Sequence, residues 1–201
     1  MTSNEQKVLF PGIEFMGDNV RKKLGFCGEG VRLYPLCKMI YAENAFLDNH
    51  CQIFDNVFID AGKSLKIGKY STLTWFVLIE GGANTYIGDR VFLGPGTKIL
   101  TSTYKLNGCY SIEHIPDECR ETEYGDIVIE DDAYLGANCT VMPGITIHEG
   151  AVAAVNCLVN KDLEPWGIYV GTPCKRIGTR EKPSEKATEI LLSSDDWSNH
   201  L

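Results

Sequence analysis

The segment from Ile129 to Glu164 repeats every six residues, and this period constrains the fold more than any other feature of the chain. Cut into sixes, it reads IEDDAY, LGANCT, VMPGIT, IHEGAV, AAVNCL and VNKDLE. The first residue of each unit is aliphatic: Ile129, Leu135, Val141, Ile147, Ala153 and Val159. A period of six fits neither an amphipathic helix nor an alternating strand. It is typical of a parallel β-helix, in which each hexapeptide forms one flat side of a coil and its aliphatic residue points into the core.

The same register extends towards the N-terminus in three shorter runs. Their aliphatic positions are Leu47, Ile53, Ile59 and Leu65, then Ile67, Leu73 and Ile79, then Ile87, Leu93 and Ile99. Each restart is a slip of two residues, which we interpret as a small corner loop. Ile129 lies 24 residues beyond position 105, where an uninterrupted repeat after Ile99 would place it. We therefore predict that about residues 103–126 leave the coil as one long excursion, and loops of that length are usually functional.

The pattern divides the chain into three expected parts. Residues 1–27 do not follow the repeat and are expected to cap the open end of the first coil, which would otherwise expose strand edges. Residues 28–178 are expected to form the β-helix. Residues 179–201 are expected to form a polar, acidic tail, in which Ser184 is a candidate helix start.

Composition excludes several classes of partner. The formal net charge is −8, which argues against nucleic acid or an anionic membrane surface as a partner. No apolar run reaches the length of a membrane span, and the N-terminus lacks the layout of a signal peptide, so we expect a cytoplasmic protein. The eight cysteines show no CxxC pair and no zinc-finger spacing. We expect most of them to be reduced and buried, and we expect no metal.

The chain resembles the left-handed β-helix acyltransferases over roughly residues 28–180. The resemblance rests on the segments IGDRVF (87–92), LGPGTK (93–98), LGANCT (135–140), VMPGITI (141–147) and EPWGIYVGTPCKRI (164–177). The segment IPDE (115–118) is similar to the end of the excursion in acetyltransferases that modify sugars or nucleotide-linked amino sugars in bacterial surface-polysaccharide pathways. The resemblance implies an all-β, left-handed parallel β-helix that forms a homotrimer with active sites between subunits. It also implies acetyl-CoA as co-substrate, lying along the C-terminal coils.

Eight residues of the C-terminal coils are candidates for contacts with acetyl-CoA. Small residues leave the backbone of two coil sides approachable, so that pantetheine amides would pair with them as an added strand does. A basic pair after the closing turn suits the CoA phosphates. The candidates are Gly136, Ala137, Ala153, Ala154, Thr172, Pro173, Lys175 and Arg176. The alternative is a tight coil side and an ordinary solvated pair.

The histidine bases of the family's sugar O-acetyltransferases have no counterpart here, because Tyr104 and Thr72 stand at the two corresponding positions. A hydroxyl, with a pKa of about 16, needs a base as it attacks a thioester. An amine with a pKa of about 8 is partly neutral at physiological pH and attacks without a strong base. We therefore favour N-acetylation of an amino group on a nucleotide-linked amino-deoxy sugar, such as a UDP- or dTDP-4-amino-4,6-dideoxy sugar of a surface glycan.

The remaining candidates lie upstream of the regular coils. A carboxylate that follows an inward aliphatic residue would bind an ammonium group and take its proton late in the reaction. The catalytic candidates are His114 in the excursion and the carboxylates Asp60 and Glu80; the candidate substrate contacts are His50, Tyr104 and Asp117. Trp75, Phe76 and Tyr86 would stack on a nucleotide base or pack a subunit interface.

Three other functions are compatible with this architecture. A sugar O-acetyltransferase of the galactoside or maltose type would use His114 as its base. A β-helix scaffold without activity would need no histidine at all. A trimeric zinc carbonic anhydrase needs three histidines around one metal, and His50, His114 and His148 show no ligand-type spacing.

Overall fold

The protein forms a parallel β-helix in the computed structural model, which describes residues 18–112 and 115–193. The first three coils contain β1 (Phe26–Cys27), β2 (Arg32–Leu33), β3 (Lys38–Ile40), β4 (Ala45–Leu47), β5 (Gln52–Ile53), β6 (Phe58–Asp60), β7 (Ser64–Ile67), β8 (Thr72–Leu73) and β9 (Leu78–Glu80). The fourth coil and the excursion contain β10 (Asn84–Ile87), β11 (Phe92–Leu93), β12 (Lys98–Leu100), β13 (Ser102–Tyr104) and β14 (Thr122–Tyr124). The last coils contain β15 (Ile127–Ile129), β16 (Tyr134–Leu135), β17 (Thr140–Val141), β18 (Thr146–Ile147), β19 (Val152–Ala153), β20 (Leu158–Val159), β21 (Gly167–Val170) and β22 (Lys175–Thr179).

Three sheets form the faces of the β-helix. The first sheet has the order β1-β4-β7-β10-β15-β18, the second β2-β5-β8-β11-β16-β19-β21-β22, and the third β20-β17-β12-β9-β6-β3. All pairs are parallel except β21 with β22, which close the last coil. We call the corner between the first and second sheets the first edge, that between the second and third sheets the second edge, and that between the third and first sheets the third edge. This architecture confirms the predicted parallel β-helix.

The core consists of the aliphatic columns that the hexapeptide register predicts. All six first-position residues of 129–164 are buried, with at most 1% of their surface exposed. Strand pairing stacks Leu47, Ile67, Ile87, Ile129 and Ile147 in one column, so each coil rests on the coil before it. Cysteine supplies part of the same interior. The five buried cysteines, all free thiols, are Cys37, Cys51, Cys139, Cys157 and Cys174.

All insertions in the coil lie at the third edge. Leu47, Ile67 and Ile87 are 20 residues apart, whereas Ile129 and Ile147 are 18 apart. The two extra residues of each early coil fall between the third and first sheets, as the predicted slips require. The long excursion leaves from the same edge, and its base is an antiparallel ribbon in which Thr103 lies opposite Glu123.

Short helices lie at both ends of the described chain. The helix α1 (Asp18–Arg21) places Val20 against the core of the first coil, where 1% of its surface is exposed. The remainder of the predicted cap, residues 1–17, lies outside the described residues. The helix α2 (Glu185–Ser193) begins after Ser184, whose Oγ accepts the Ala187 N–H at 3.2 Å. Two 3-10 turns span Ala42–Asn44 and Asp117–Cys119. Within the described ranges, no helix is long and apolar enough to cross a membrane.

Candidate active site

In the C-terminal half of the second edge, small side chains leave the backbone accessible. Glycine is required there because the coils approach closely: a Cβ on Gly94 would lie 2.7 Å from the Ala137 nitrogen, and a Cβ on Gly136 would lie 2.7 Å from the Val155 nitrogen. Ala154 follows at the same position in the next coil. We call this stretch of the second edge the rail. It runs coil by coil from Pro95 through Gly136–Ala137 and Ala154–Val155 to Thr172.

Two amide groups on the rail lack an acceptor. No group of the described chain accepts a hydrogen bond from the N–H of Ala137 or of Val155. Their neighbours are paired, because Gly136 N donates to Ala153 O at 2.8 Å and Ala154 N donates to Tyr169 O at 2.9 Å. The two free donors lie on successive coils and therefore about 4.8 Å apart. They offer hydrogen bonds to carbonyl oxygens of a ligand that lies along the rail.

Four of the eight predicted acetyl-CoA contacts lie on this rail. Gly136, Ala137 and Ala154 are on it, and Thr172, whose Oγ1 donates to Asn156 O at 2.7 Å, precedes Pro173 at its end. Ala153 contributes no side chain to the surface because it is fully buried. Sequence reasoning missed Val155, which directly follows Ala154 and has 57% of its surface exposed.

The predicted basic pair lies beside the rail on the antiparallel strand β22. Lys175 and Arg176 pair with Val170 and Tyr169 of β21, and both basic side chains are exposed. The Arg176 guanidinium donates to Gly178 O at 3.3 Å and to Thr179 Oγ1 at 3.2 Å. Both cations are thus at the C-terminal end of the β-helix and near the end of the rail.

The first edge differs because side chains cap its backbone amides. Asp89 Oδ1 accepts the Lys69 N–H at 2.7 Å, and Asp131 Oδ1 accepts the Asp89 N–H at 2.8 Å. Arg90 forms two hydrogen bonds with the Asp132 carboxylate, at 2.7 and 3.0 Å. The hydrogen bond to Asp132 is the main cause of a raised pKa for Arg90. Carboxylates thus occupy the Lys69 and Asp89 amides of this edge.

The two histidines that the structure describes both lie on the first edge. His50 stacks on Tyr70 with ring centroids 5.1 Å apart, and His148 Nδ1 is 3.2 Å from Glu130 Oε1. They are four coils apart, which corresponds to about 19 Å. His114, the predicted base, lies outside the described residues. Within the described residues, no group of three or more His, Cys, Asp or Glu side chains is placed to hold a metal ion.

The predicted carboxylates lie together on the third edge. Asp60 and Glu80 are the last residues of the neighbouring strands β6 and β9. Asp60 Oδ1 accepts the Gly62 N–H at 2.9 Å, and Glu80 Oε1 accepts the Ser102 hydroxyl at 3.1 Å. Because Ser102 begins β13, the exposed Glu80 carboxylate is held at the base of the excursion.

Arg120 joins the two predicted substrate contacts of the excursion. Its guanidinium donates to Asp117 Oδ1 at 2.8 and 3.1 Å. The hydrogen bond to Asp117 is the largest cause of the raised pKa of Arg120, and a hydrogen bond with Tyr104 adds to it. Sequence reasoning missed Arg120, which lies two residues after the IPDE segment.

A second polar cluster links the two limbs of the excursion. Glu121 pairs with Lys105 and accepts the Asn107 amide at 2.5 Å. These hydrogen bonds, that of Lys105 first, lower the pKa of Glu121. This ion pair and this hydrogen bond thus hold the two limbs of the excursion together near its base.

A groove of about 650 Å³ lies on the outer face of the first sheet. Phe26, Phe46 and Tyr86 line it, with Lys66 Nζ lying 5.6 Å from the centroid of the Tyr86 ring. Tyr86, a candidate for stacking on a nucleotide base, lines this groove, whereas the predicted catalytic carboxylates and the predicted acetyl-CoA contacts do not.

Comparison with known proteins identifies the family. A family model described as "Hexapeptide repeat of succinyl-transferase" matches residues 126–161. A probable macrolide acetyltransferase of Lysinibacillus sphaericus is 32% identical over 156 residues, which are 73% of this chain and 77% of that protein. The chain belongs to the hexapeptide-repeat acyltransferases. Membership confirms the predicted enzyme class, an acetyl-CoA-dependent acyltransferase.

Two further comparisons, one with a relative and one with a solved structure, involve nucleotide compounds. A dTDP-4-amino-4,6-dideoxy-D-glucose acyltransferase of Escherichia coli is 27% identical over 165 residues, covering 80% of this chain and 86% of that protein. The solved structure of AntD, an N-acyltransferase from Bacillus cereus in complex with dTDP and 3-hydroxybutyryl-CoA, superposes with a TM-score of 0.77 at 22% identity. That match covers 89% of this chain and 95% of AntD and extends the shared fold over nearly the whole chain.

Proposed function

We propose that the chain transfers the acetyl group of acetyl-CoA to the amino group of a nucleotide-linked amino-deoxy sugar, such as a dTDP- or UDP-4-amino-4,6-dideoxy sugar destined for a surface glycan such as lipopolysaccharide O-antigen. The observation that carries the proposal is the pair of carboxylates, Asp60 and Glu80, at the base of the excursion, while the described histidines lie on another edge. A carboxylate at this position pairs with an amino group of the acceptor and accepts the proton that the nitrogen loses after its attack.

The chemistry needs three groups. The neutral amine attacks the thioester carbonyl carbon, a C–N bond forms, and the carbonyl oxygen becomes an oxyanion. A free rail amide, that of Ala137 or Val155, donates a hydrogen bond to this oxyanion. The C–S bond then breaks, the CoA thiolate leaves, and the ammonium proton passes to Glu80 or through water to the thiolate.

The two halves of this site lie on different edges of one chain, which supports the expected homotrimer. The rail follows the second edge and the carboxylates lie on the third edge, so the third sheet separates them. In a cyclic trimer, the rail of one protomer faces the acidic edge of the next, giving three equivalent sites. Both co-substrates are metabolites of the cytoplasm, and the proposed reaction assigns the enzyme to that compartment.

The relatives support the amino-sugar acceptor, and one of them favours a second candidate. The Escherichia coli relative acts on a dTDP-linked amino sugar and aligns over 80% of this chain. The macrolide acetyltransferase has the higher identity, 32%, and favours a hydroxyl acceptor as the alternative. O-acetylation would require a general base, for which His114 is the candidate.

An acceptor panel tests the proposal. CoA release from acetyl-CoA is measured by chromatography with dTDP-, UDP- and GDP-linked amino sugars and with the matched hydroxyl sugars. We expect release with amino acceptors alone. CoA release in the presence of hydroxyl acceptors, with none in the presence of amino acceptors, would overturn the proposal.

Two variants test the assigned roles. Glu80→Gln is expected to lower kcat about tenfold, since a positioned proton acceptor is lost, whereas the matched change Glu123→Gln on the excursion leaves kcat unchanged. His114→Asn is expected to lower the rate less than Glu80→Gln does. A loss of several orders of magnitude in His114→Asn would instead favour O-acetylation.

A further inference from the structure

An aromatic ledge occupies the N-terminal half of the second edge. It consists of Tyr34, Phe54, Trp75 and Phe76 on the first three coils. Tyr34 stacks on Phe54 with centroids 4.7 Å apart, and Phe54 meets Trp75 edge-on at 4.9 Å. Trp75 and Phe76 remain 47% and 64% exposed. The ledge ends where the rail begins, so aromatic rings and bare backbone follow one another along a single edge.

Phe76 has a backbone conformation that does not suit its side chain. Its φ is +61°, and the equivalent corner residues of four other coils, Asn56, Gly96, Asn138 and Asn156, also have positive φ. Asparagine and glycine tolerate this region, whereas a bulky residue is strained there. The Phe76 ring stacks on no other ring in the described chain. Tyr70 and Trp166 share this conformation, but Tyr70 stacks on His50 and Trp166 packs under Arg180. No ring of the described chain packs on the exposed Phe76 in this way.

Two lysines flank the ledge on the outer face of the third sheet. Strand register places Lys38, Phe58, Leu78 and Lys98 in one outward column, so an apolar stripe has a cation at each end. Lys98 Nζ donates to Gly96 O at 3.0 Å, and Gly96 N donates to Trp75 O at 3.0 Å. The backbone therefore fixes this ammonium beside the ledge. In a chain of net charge −8, this is a local site for an anion that also carries a planar ring.

We propose that the ledge and Lys98 bind the nucleoside diphosphate of the acceptor. The base stacks on Phe76 and Trp75, as bases do on exposed aromatic rings, and the diphosphate pairs with the Lys98 ammonium. Strand β9 runs from Leu78 beside the ledge to Glu80 at the third edge, a step of about 7 Å. A sugar attached to the diphosphate thus extends across the third sheet towards the carboxylate that binds its amine. The inference rests on the proposed function for the identity of that sugar.

Ligand titrations of the full-length protein test the proposal. The probes are dTDP, UDP and GDP, with thymidine to separate the base from the phosphates, and the readout is calorimetry. Phe76→Asn installs the residue type that its corner column otherwise uses. We expect it to raise the melting temperature, to weaken dTDP binding about tenfold, and to leave the KM for acetyl-CoA within about twofold. The gain in thermal stability shows that the variant folds.

Two lysine variants test the role of the Lys98 ammonium. Lys98→Met is expected to weaken dTDP binding about fivefold and to leave thymidine binding unchanged, because only the diphosphate meets the charge. Lys69→Met, at an exposed lysine on the first edge, is the matched control and leaves both affinities unchanged.

The outcomes separate this inference from the proposed function. Unchanged dTDP affinity in Phe76→Asn, or no binding of any of the three nucleotides, overturns the inference. Dissociation of an oligomer in Phe76→Asn, seen by light scattering, also overturns it and makes the ledge a contact between copies. If dTDP binding depends on Phe76 but no amino sugar is acetylated, the inference stands and the proposed function fails. If amino sugars are acetylated while dTDP affinity does not depend on Phe76, the proposed function stands and the inference fails.

Discussion

The first and second edges of the β-helix have the same kind of turn but treat their backbone amides differently. Both columns repeat a residue with positive φ, such as Arg90 on the first edge and Asn138 on the second. On the first edge, carboxylates accept the amides of Lys69, Asp89 and Glu149. On the rail of the second edge, the amides of Ala137 and Val155 have no acceptor within the described chain.

This difference separates stability from function. An aspartate on one coil that caps an amide of the previous coil ties the two coils together and leaves no donor for a ligand. Glycine, alanine and proline have no side-chain acceptor that could cap an amide. An edge built of them keeps its backbone donors free at a surface that an extended ligand can reach. The side chains, rather than the turn geometry, therefore decide which edge keeps free donors, and this supports the proposed acetyl-CoA site on the second edge.

The largest effect is expected from removing one rail donor without changing the fold. Pro95 occupies the corner position of Ala137 one coil earlier, and glycine precedes both residues. Ala137→Pro therefore fits the backbone and deletes only the N–H. We expect kcat/KM for acetyl-CoA to fall about 100- to 1,000-fold, as loss of a single transition-state donor does, with an unchanged melting temperature. Ala137→Ser keeps the N–H and is the control. Full activity in Ala137→Pro would remove the amide from the mechanism.

On the first edge, the expected effect is on stability instead. Asp89→Ala removes the carboxylate that caps Lys69 and lies beside Arg90, and we expect a loss of about 1 kcal/mol in the free energy of unfolding, measured in urea. The KM for acetyl-CoA should not change. Glu149→Ala, at an exposed side chain of the same edge, is the control. A raised KM in Asp89→Ala would mean that the two edges are not independent.

A smaller, pH-dependent effect is expected at the third edge. The Asn84 side chain first, and its backbone N–H second, lower the pKa of Asp126 from its usual 3.8. Because the pKa in the folded state is lower than in the unfolded state, the stabilisation is present above about pH 4 and is lost as pH falls through the lowered pKa. Asn84→Ala should therefore lower stability in urea at pH 7 and differ little from the wild type at pH 2.5. An equal difference at both pH values would show that the interaction does not depend on the carboxylate charge.

The smallest effect concerns the thiols under the rail. Burial raises the pKa of Cys139 to about 11, and its Sγ donates to Ala154 O at 3.0 Å. We expect an aromatic disulfide reagent at pH 8 to label the exposed Cys119 within seconds and to leave Cys139 unlabelled until the protein unfolds. Comparable rates at the two thiols would show that the second edge opens, and that its free amides reflect fraying rather than a formed site.

The sequence predicted the core of this fold because the repeat is local. Each aliphatic position of 129–164 follows from its neighbour six residues away, and all six are buried. The prediction of an excursion came from counting residues. The pattern of amide capping could not be read from the sequence, because Asp89 and Asp131 become neighbours only when the intervening excursion leaves the coil.

Within the proposed site, the sequence pointed to candidates that one residue type identifies, and it did not point to those that require the coils to be aligned. Ala137 was predicted from its small size, whereas Val155 and Arg120 were missed. Val155 matters for a backbone group that its side chain does not reveal. Lys98 was missed because its neighbours, Gly96 and Trp75, are assembled from two coils.

Hydrogen exchange with and without acetyl-CoA distinguishes the free amides of the rail from the capped amides of the first edge. We expect acetyl-CoA to slow exchange in peptides covering 135–139 and 153–157, which contain the free amides of Ala137 and Val155. Peptides covering 67–71 and 88–91 of the first edge should not change. Protection confined to the first edge, or none on the rail at saturating acetyl-CoA, would mean that the rail does not bind acetyl-CoA.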